Sequence, residues 1–178
     1  MKKLLVGLMA VLLVGCGTLP VSQYVPQNYT RYSGSVELGA FTYLPATEGK
    51  VRSNQVQNTA VGQILVATDI AQIAQRGTAL ELEKTGIDLK SSNVLLSGDV
   101  KKMMFDDLGF SVTIEYEIEY TFSSKNGDTL LKKIYKSDPK RIGKFGMAND
   151  YGNVVNEMVS SAYTKFINDP DVKKILQK

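Results

Sequence analysis

The sequence predicts an α+β domain, a two-layer sandwich in the order β-α-β-β-β-α. About four strands form a mainly antiparallel sheet, and two amphipathic helices pack on one of its faces. Two patterns carry this expectation. From Val112 to Phe122, apolar side chains at Val112, Ile114, Tyr116, Ile118, Tyr120 and Phe122 alternate without error against Thr113, Glu115, Glu117, Glu119 and Thr121, as a strand with one wet face requires. From Tyr151 to Ile167, Val154, Val155, Met158, Val159, Ala162 and Phe166 recur at helical spacing.

The chain opens with a leader. Met1, Lys2 and Lys3 form a short positive segment, and Leu4 to Val14 is almost unbroken apolar sequence. That is about half of the ~20 residues a membrane-spanning helix needs, so residues 1–15 read as a signal peptide. The segment ends in Leu13-Val14-Gly15-Cys16, which matches the lipobox of bacterial lipoproteins. A small residue before the cut admits the peptidase, and the Cys16 thiol accepts a diacylglycerol as a thioether, with an acyl chain on the new amino terminus. Two or three acyl chains, at roughly 0.8 kcal/mol per buried CH₂, hold a protein stably on a bilayer. Gly17, not aspartate, follows the cysteine, which resembles the default route to the outer membrane in enterobacterial-type lipoproteins.

Residues 16–33 read as the lipidated N-terminus and a tether, because Pro20, Pro26 and the polar residues around them sustain no period. Fully extended, such a tether reaches on the order of 50 Å. Tyr24, Tyr29 and Tyr32 serve either to dock it on the domain or to sit at the headgroup boundary. A single folded domain is expected over 34–178. Val36, Leu38 and Ala40 alternate with Glu37 and Gly39 as a strand up to Pro45, and residues 46–59 are a patternless loop. A helix begins at Thr68 or Asp69, with Ile70, Ile73, Ala74, Gly77 and Leu80 on its apolar face and Gln72, Gln75, Arg76, Glu83 and Lys84 pointing away. Gly77 on the buried face implies close approach to the sheet, and Thr85-Gly86-Ile87 reads as its C-cap. Strands follow at 93–105 and 110–122, an Asn126-Gly127 hairpin turn leads to a fourth at about 129–137, and the long helix starts near Asp150. Asp169-Pro170-Asp171 stops it and starts a short terminal helix carrying Val172, Ile175 and Leu176.

Composition narrows the function classes. The formal charge of +3 falls to +1 once Lys2 and Lys3 leave with the leader, which gives no global attraction to nucleic acid. One cysteine and no histidine exclude an internal disulfide and the His- and Cys-based zinc sites, and remove the imidazole base of the common nucleophilic triads. No Ser-x-x-Lys opens a helix, and Gly143-x-x-Gly146 lacks a phosphate-loop context.

The order of elements resembles the YajG-like family of bacterial lipoproteins. The resemblance rests on the lipobox, on Gly62 to Ala71 (GQILVATDIA), on Ala79 to Ile87 (ALELEKTGI), on the long alternating strand and on Phe166 to Ile175 (FINDPDVKKI). It implies an α+β envelope domain with no established activity, and brings no functional residues. A more distant similarity is to auxiliary lipoproteins of envelope transporters.

Two clusters remain. Glu115, Glu117 and Glu119 are either paired carboxylates for glycoside or metal chemistry, or a solvated strand face neutralised by Lys132 and Lys136 across from it; the second reading is preferred. Lys132, Lys133, Lys136, Lys140, Arg141 and Lys144 put six cations in thirteen residues, against Asp138 alone. They form either a contact for anionic lipid, lipopolysaccharide or peptidoglycan, or a charged edge strand that blocks sheet-to-sheet pairing. The sequence thus calls for a non-enzymatic lipoprotein, anchored at the outer membrane and facing the periplasm, with no metal and no cofactor beyond its lipid. It would bind another envelope protein or, alternatively, an anionic or amphiphilic envelope component.

Overall fold

The structure is a computed structural model that describes residues 18–60, 62–90, 92–144 and 148–177. The leader at 1–15, Cys16 with its lipid, and Gly146 of the glycine pair lie outside the described residues.

In chain order the elements are β1 (Thr18–Leu19), β2 (Glu37–Tyr43), α1 (Leu44–Thr47), β3 (Gln57–Asn58), β4 (Leu65–Val66), α2 (Ile70–Thr85), β5 (Val94–Asp106), β6 (Ser111–Ser124), β7 (Thr129–Lys136), β8 (Lys140–Gly143), α3 (Ala148–Asn168) and α4 (Pro170–Leu176). The class is α+β, as expected, but the sheet differs from four mainly antiparallel strands. It has six strands and is mixed: β5 and β6 form its antiparallel spine, β2 and β3 both pair with β5 in parallel, and β7 and β8 both pair with β6 in antiparallel. A second sheet holds β1 parallel to β4. The parallel β2–β5 pair follows from the connection, because a strand that crosses through a helix returns in its original direction.

The register of β2 also departs from simple alternation. An irregularity between Leu38 and Phe41 shifts its pairing with β5, so Ala40 faces out while Phe41 and Tyr43 face in. Phe41 then lies over Gly98 of β5, where a Cβ would meet the ring at 2.5 Å.

Both long helices cover one face of the sheet. Helix α2 starts at Ile70, one or two residues after the expected start: Asp69 is the cap residue, and its carboxylate accepts from the Ser53 hydroxyl at 2.8 Å. It ends as predicted. Gly86 takes φ 90°, its N–H donates to the Glu83 carbonyl and the Ile87 N–H to the Leu82 carbonyl, both at 3.0 Å. Its buried stripe runs Ile70, Ile73, Ala74, Gly77, Thr78, Glu81, Leu82 and Thr85, not through Leu80. Helix α3 carries the predicted stripe, and Phe166 is its anchor: the ring is fully buried, with centroids 4.3 Å from Tyr120, 5.5 Å from Tyr135, 5.6 Å from Tyr163 and 5.7 Å from Phe122.

Gly77 does permit close approach, but to α3 and the N-terminal segment, not to the sheet. A Cβ there would lie 2.9 Å from Val159 Cγ1 and 3.0 Å from the Tyr24 ring. Gly77→Val is therefore expected to lower stability by about 1–3 kcal/mol through overpacking, read as a shift in the urea midpoint. A neutral result would mean the two helices are not in contact there.

Residues 20–34 have no regular structure, yet they lie against the helices. The sequence left open what the three tyrosines do. Tyr24 is buried, Tyr32 is half-buried with its hydroxyl donating to the Ile167 carbonyl at 3.4 Å, and Tyr29 stays exposed over Lys84.

Candidate functional site

The six cations of 132–144 are neighbours in sequence but not in space. Alternation along β7 sends Lys132 and Lys136 to the outer face of the sheet and Lys133 to the helix side. On the outer face, Lys132 lies 3.2 Å from Glu119, which Lys101 also reaches at 3.0 Å, and Lys136 lies 3.0 Å from Glu117. Lys102 pairs with Glu115. The glutamate ladder is thus a lattice of cross-strand ion pairs, with each carboxylate held by lysine, which is the arrangement of a solvated strand face. Burial opposes ionisation of Glu119, but the hydrogen bonds and charges of Lys101 and Lys132 outweigh it and keep the carboxyl below its ordinary value. Among the described residues, no group of acidic, histidine or cysteine side chains is arranged to hold a metal ion.

Lys133 turns the other way, to Asp169 at 2.6 Å. Asp169 caps α4 through the Asp171 N–H at 2.9 Å and accepts from the Tyr135 hydroxyl at 3.0 Å. The Lys133 hydrogen bond holds the Asp169 carboxyl below its ordinary value of 3.8. A depressed carboxyl contributes stability that is complete above its unfolded value and is lost as the pH falls through the folded one. Wild type is accordingly expected to lose its advantage over Asp169→Asn as the pH drops below 3.8. Urea midpoints of the two proteins across that range check this, and a constant difference would refute it.

Lys140 pairs with Glu157 at 2.8 Å. Arg141 and Lys144 behave differently. Arg141 Nε donates to the Ser111 hydroxyl at 2.7 Å and Lys144 Nζ to the Asp107 carbonyl at 2.6 Å, and neither has a carboxylate partner among the described residues. Both flank the β5–β6 turn, where Leu108 is 70% and Phe110 90% exposed. Four of the six predicted cations are therefore paired with carboxylates, and two, held only by neutral oxygens, lie beside an apolar turn that sequence reasoning did not single out.

The missed residue of greatest consequence is Glu81. It is fully buried on α2. Its Oε1 accepts from the Tyr24 hydroxyl (2.8 Å), the Gln27 N–H (2.9 Å) and the Ser160 hydroxyl (3.1 Å), and its Oε2 from the Asn28 N–H and side-chain amide (both 3.0 Å). One carboxylate thus fastens residues 24–28 to both helices. Burial and the adjacent Glu81 charge push the Tyr24 hydroxyl well above its ordinary range, so it stays protonated as a donor. A sequence signal existed: Glu81 falls in register with Ile70, Ile73, Ala74 and Gly77. Beside this clasp, an open groove of about 740 Å³ lies between residues 21–24 and α2, lined by Leu38, Ile73, Arg76 and Asn156 among others. Between helices and sheet the space is packed with aromatic rings.

No family model matches this sequence, and no curated protein matches it. Solved structures do resemble the fold. Protein XCC0632 from Xanthomonas campestris, of the family DUF330, is 9% identical with a TM-score of 0.69, over 89% of this chain and 97% of that one. An uncharacterized protein is 13% identical with a TM-score of 0.52, over 89% of this chain and 99% of its own. A minor lipoprotein from Acinetobacter baumannii is 7% identical with a TM-score of 0.47, over 79% and 94%. The first two share this architecture. Among the described residues, no helix is long and apolar enough to cross a membrane.

Proposed function

We propose that this chain is a lipoprotein of the bacterial outer membrane, held by lipid on Cys16 with its domain toward the periplasm, and that it works as a non-catalytic adaptor for another envelope protein. The leader, the lipobox and the YajG-like order of elements support the anchored reading. The observation that carries the adaptor reading is the outer edge of β7. This strand hydrogen-bonds to β6 on one side, and among the described residues no strand takes the other. Leu130 and Ile134 are 48% and 43% exposed along it. A cleft of about 400 Å³ opens at the start of the strand, between α4 and the end of the sheet, lined by Val94, Leu130, Leu131, Asp171, Lys174 and Ile175.

Charged side chains ordinarily guard such an edge. Here Lys132 and Lys136 are drawn back over the outer face of the sheet to Glu119 and Glu117, and Lys133 to Asp169 on the helix side. A free edge with an adjoining side-chain cleft is the geometry of strand addition, in which main-chain hydrogen bonds supply affinity and the cleft supplies selectivity. The carboxylate ladder, the arrangement most like an acid–base pair, is neutralised by lysine, and this favours binding over catalysis.

The test places a photo-crosslinking residue at Leu130 or Ile134 of the acylated protein in its native host, with Lys90 as the control. One adduct of fixed mass at 130 and 134, absent at 90 and identified by mass spectrometry as a different envelope polypeptide, is expected. No adduct, or an adduct with a second copy of this chain alone, overturns the adaptor reading.

A further inference from the structure

The strand directions fix which way the first described residue, Thr18, faces. Strand β3 runs parallel to the end of β5, pairing Gln57 with Met104 and Asn58 with Phe105. The chain then turns back, since Gln55 bridges Leu65 in antiparallel sense and the Val56 N–H donates to the Ile64 carbonyl. β4 therefore runs away from the β5–β6 turn. β1 is parallel to β4, Thr18 opposite Leu65, so it runs away from that turn as well. The Thr18 end of β1 consequently faces the β5–β6 turn. Cys16 is two positions upstream, about 7 Å of extended chain.

The same end of the molecule gathers the apolar turn and the two cations without carboxylate partners. Leu108, Gly109 and Phe110 are all exposed there. The Lys144 N–H donates to the Phe110 carbonyl at 3.2 Å, and Arg141 sits opposite Thr113, two residues into β6. The turn also carries two acidic residues, held by neutral donors and not by cations: Asp107 accepts from the Ala60 N–H at 2.7 Å and the Thr59 hydroxyl at 3.0 Å, and Asp106 from the same hydroxyl at 2.9 Å. A large aromatic and a leucine at a tip, flanked by arginine and lysine, match the apolar-plus-cationic pattern by which proteins sit in an anionic lipid interface.

We propose that the β5–β6 turn, through Leu108 and Phe110 with Arg141 and Lys144 beside them, seats in the headgroup layer of the bilayer that holds the lipid on Cys16. This rests on the anchored reading above and deepens it. Lipid and turn together make two attachments at one end, so the domain is held upright on the membrane with the Asn126-Gly127 hairpin at the far end and the β7 edge standing along its side. A 50 Å stand-off gives way to direct contact.

The experiment uses the full mature chain, acylated in a bacterial host and reconstituted into phosphatidylethanolamine–phosphatidylglycerol vesicles. Acylation consumes the chain's single native thiol, so Phe110→Cys offers one site for an environment-sensitive fluorophore, with Lys90→Cys as the control. At 110 a blue-shifted emission, quenching by nitroxide-bearing lipid and protection from aqueous iodide are expected, with the reverse at 90. Arg141→Glu combined with Lys144→Glu should return the label at 110 toward water, and an unchanged depth would overturn the part assigned to the two cations. A protein that floats with the vesicles while its label at 110 stays open to iodide overturns the seating and leaves the anchor standing. A mature chain that carries no lipid overturns both.

Discussion

Glu81→Ala is expected to cost about 3–5 kcal/mol of folding stability, since it strands several buried donors at once. The Tyr24 and Ser160 hydroxyls and the backbone N–H groups of Gln27 and Asn28 all converge on its two oxygens. Alanine offers these donors no acceptor and leaves a cavity where the carboxylate was. The loss falls on a domain whose total stability is of order 5–15 kcal/mol. It should appear in two measurements. The urea midpoint should fall, and limited proteolysis should cut within 20–28 while the α2–α3 layer remains protected. Glu81→Gln, which keeps shape and one acceptor oxygen but points an amide at the Asn28 donors, should fall between the two proteins. A loss for alanine below about 1 kcal/mol, with the segment still protected, would show that the clasp is not what holds it.

Phe166→Ala is the second large effect, at about 3–5 kcal/mol. Phe166 is where four other rings meet, Tyr120, Phe122, Tyr135 and Tyr163, contributed by β6, β7 and α3. Its truncation removes the apolar burial of a whole ring and the edge and offset contacts, worth about 0.5–1.5 kcal/mol per pair beyond area. Phe166→Leu refills most of the space and should cost clearly less. Denaturation in urea with an unchanged m-value would place the effect in packing. Equal losses for alanine and leucine would point to the specific ring geometry instead of volume.

Much of the architecture was legible because its signals are local. The alternation of Val112 to Phe122, the stripe of α3, the Gly86 C-cap and the Asn126-Gly127 turn each follow from one or two residues of context, and all appear where expected. The pairing partners of β2 were not legible. Whether Glu37–Tyr43 runs with or against its neighbour depends on the α2 crossover, which is a property of the path, not of seven residues. Strands of two residues, at Thr18–Leu19, Gln57–Asn58 and Leu65–Val66, are too short to show any period. Ala40 was misplaced because a register shift in β2 reverses which parity faces the core.

The candidate site was read unevenly for similar reasons. Charge density in the 132–144 run is visible in sequence, but which cations find carboxylates depends on strand pairing and helix placement. Lys132 and Lys136 could be matched to the glutamates by cross-strand logic. Lys133 with Asp169 and Lys140 with Glu157 join segments brought together only by the fold. Leu108 lies between two predicted strands and Phe110 at the start of the second, where spacing alone does not set exposure. Glu81 was hidden by type: a glutamate on a helix reads as solvent-facing unless its register with the apolar stripe is checked.

The parallel pairing of β1 with β4 has a mechanical consequence. Tension applied along β1 from its Thr18 end would load the hydrogen bonds of this pair side by side, in shear, instead of parting them one at a time like a zip. Behind them, Pro20 rests on Gly152 and the Tyr24–Asn28 stretch is gripped by Glu81, so such a pull is passed on to both helices. A pull on the chain ahead of Thr18 would thus be resisted by the whole domain and not by a loose leash.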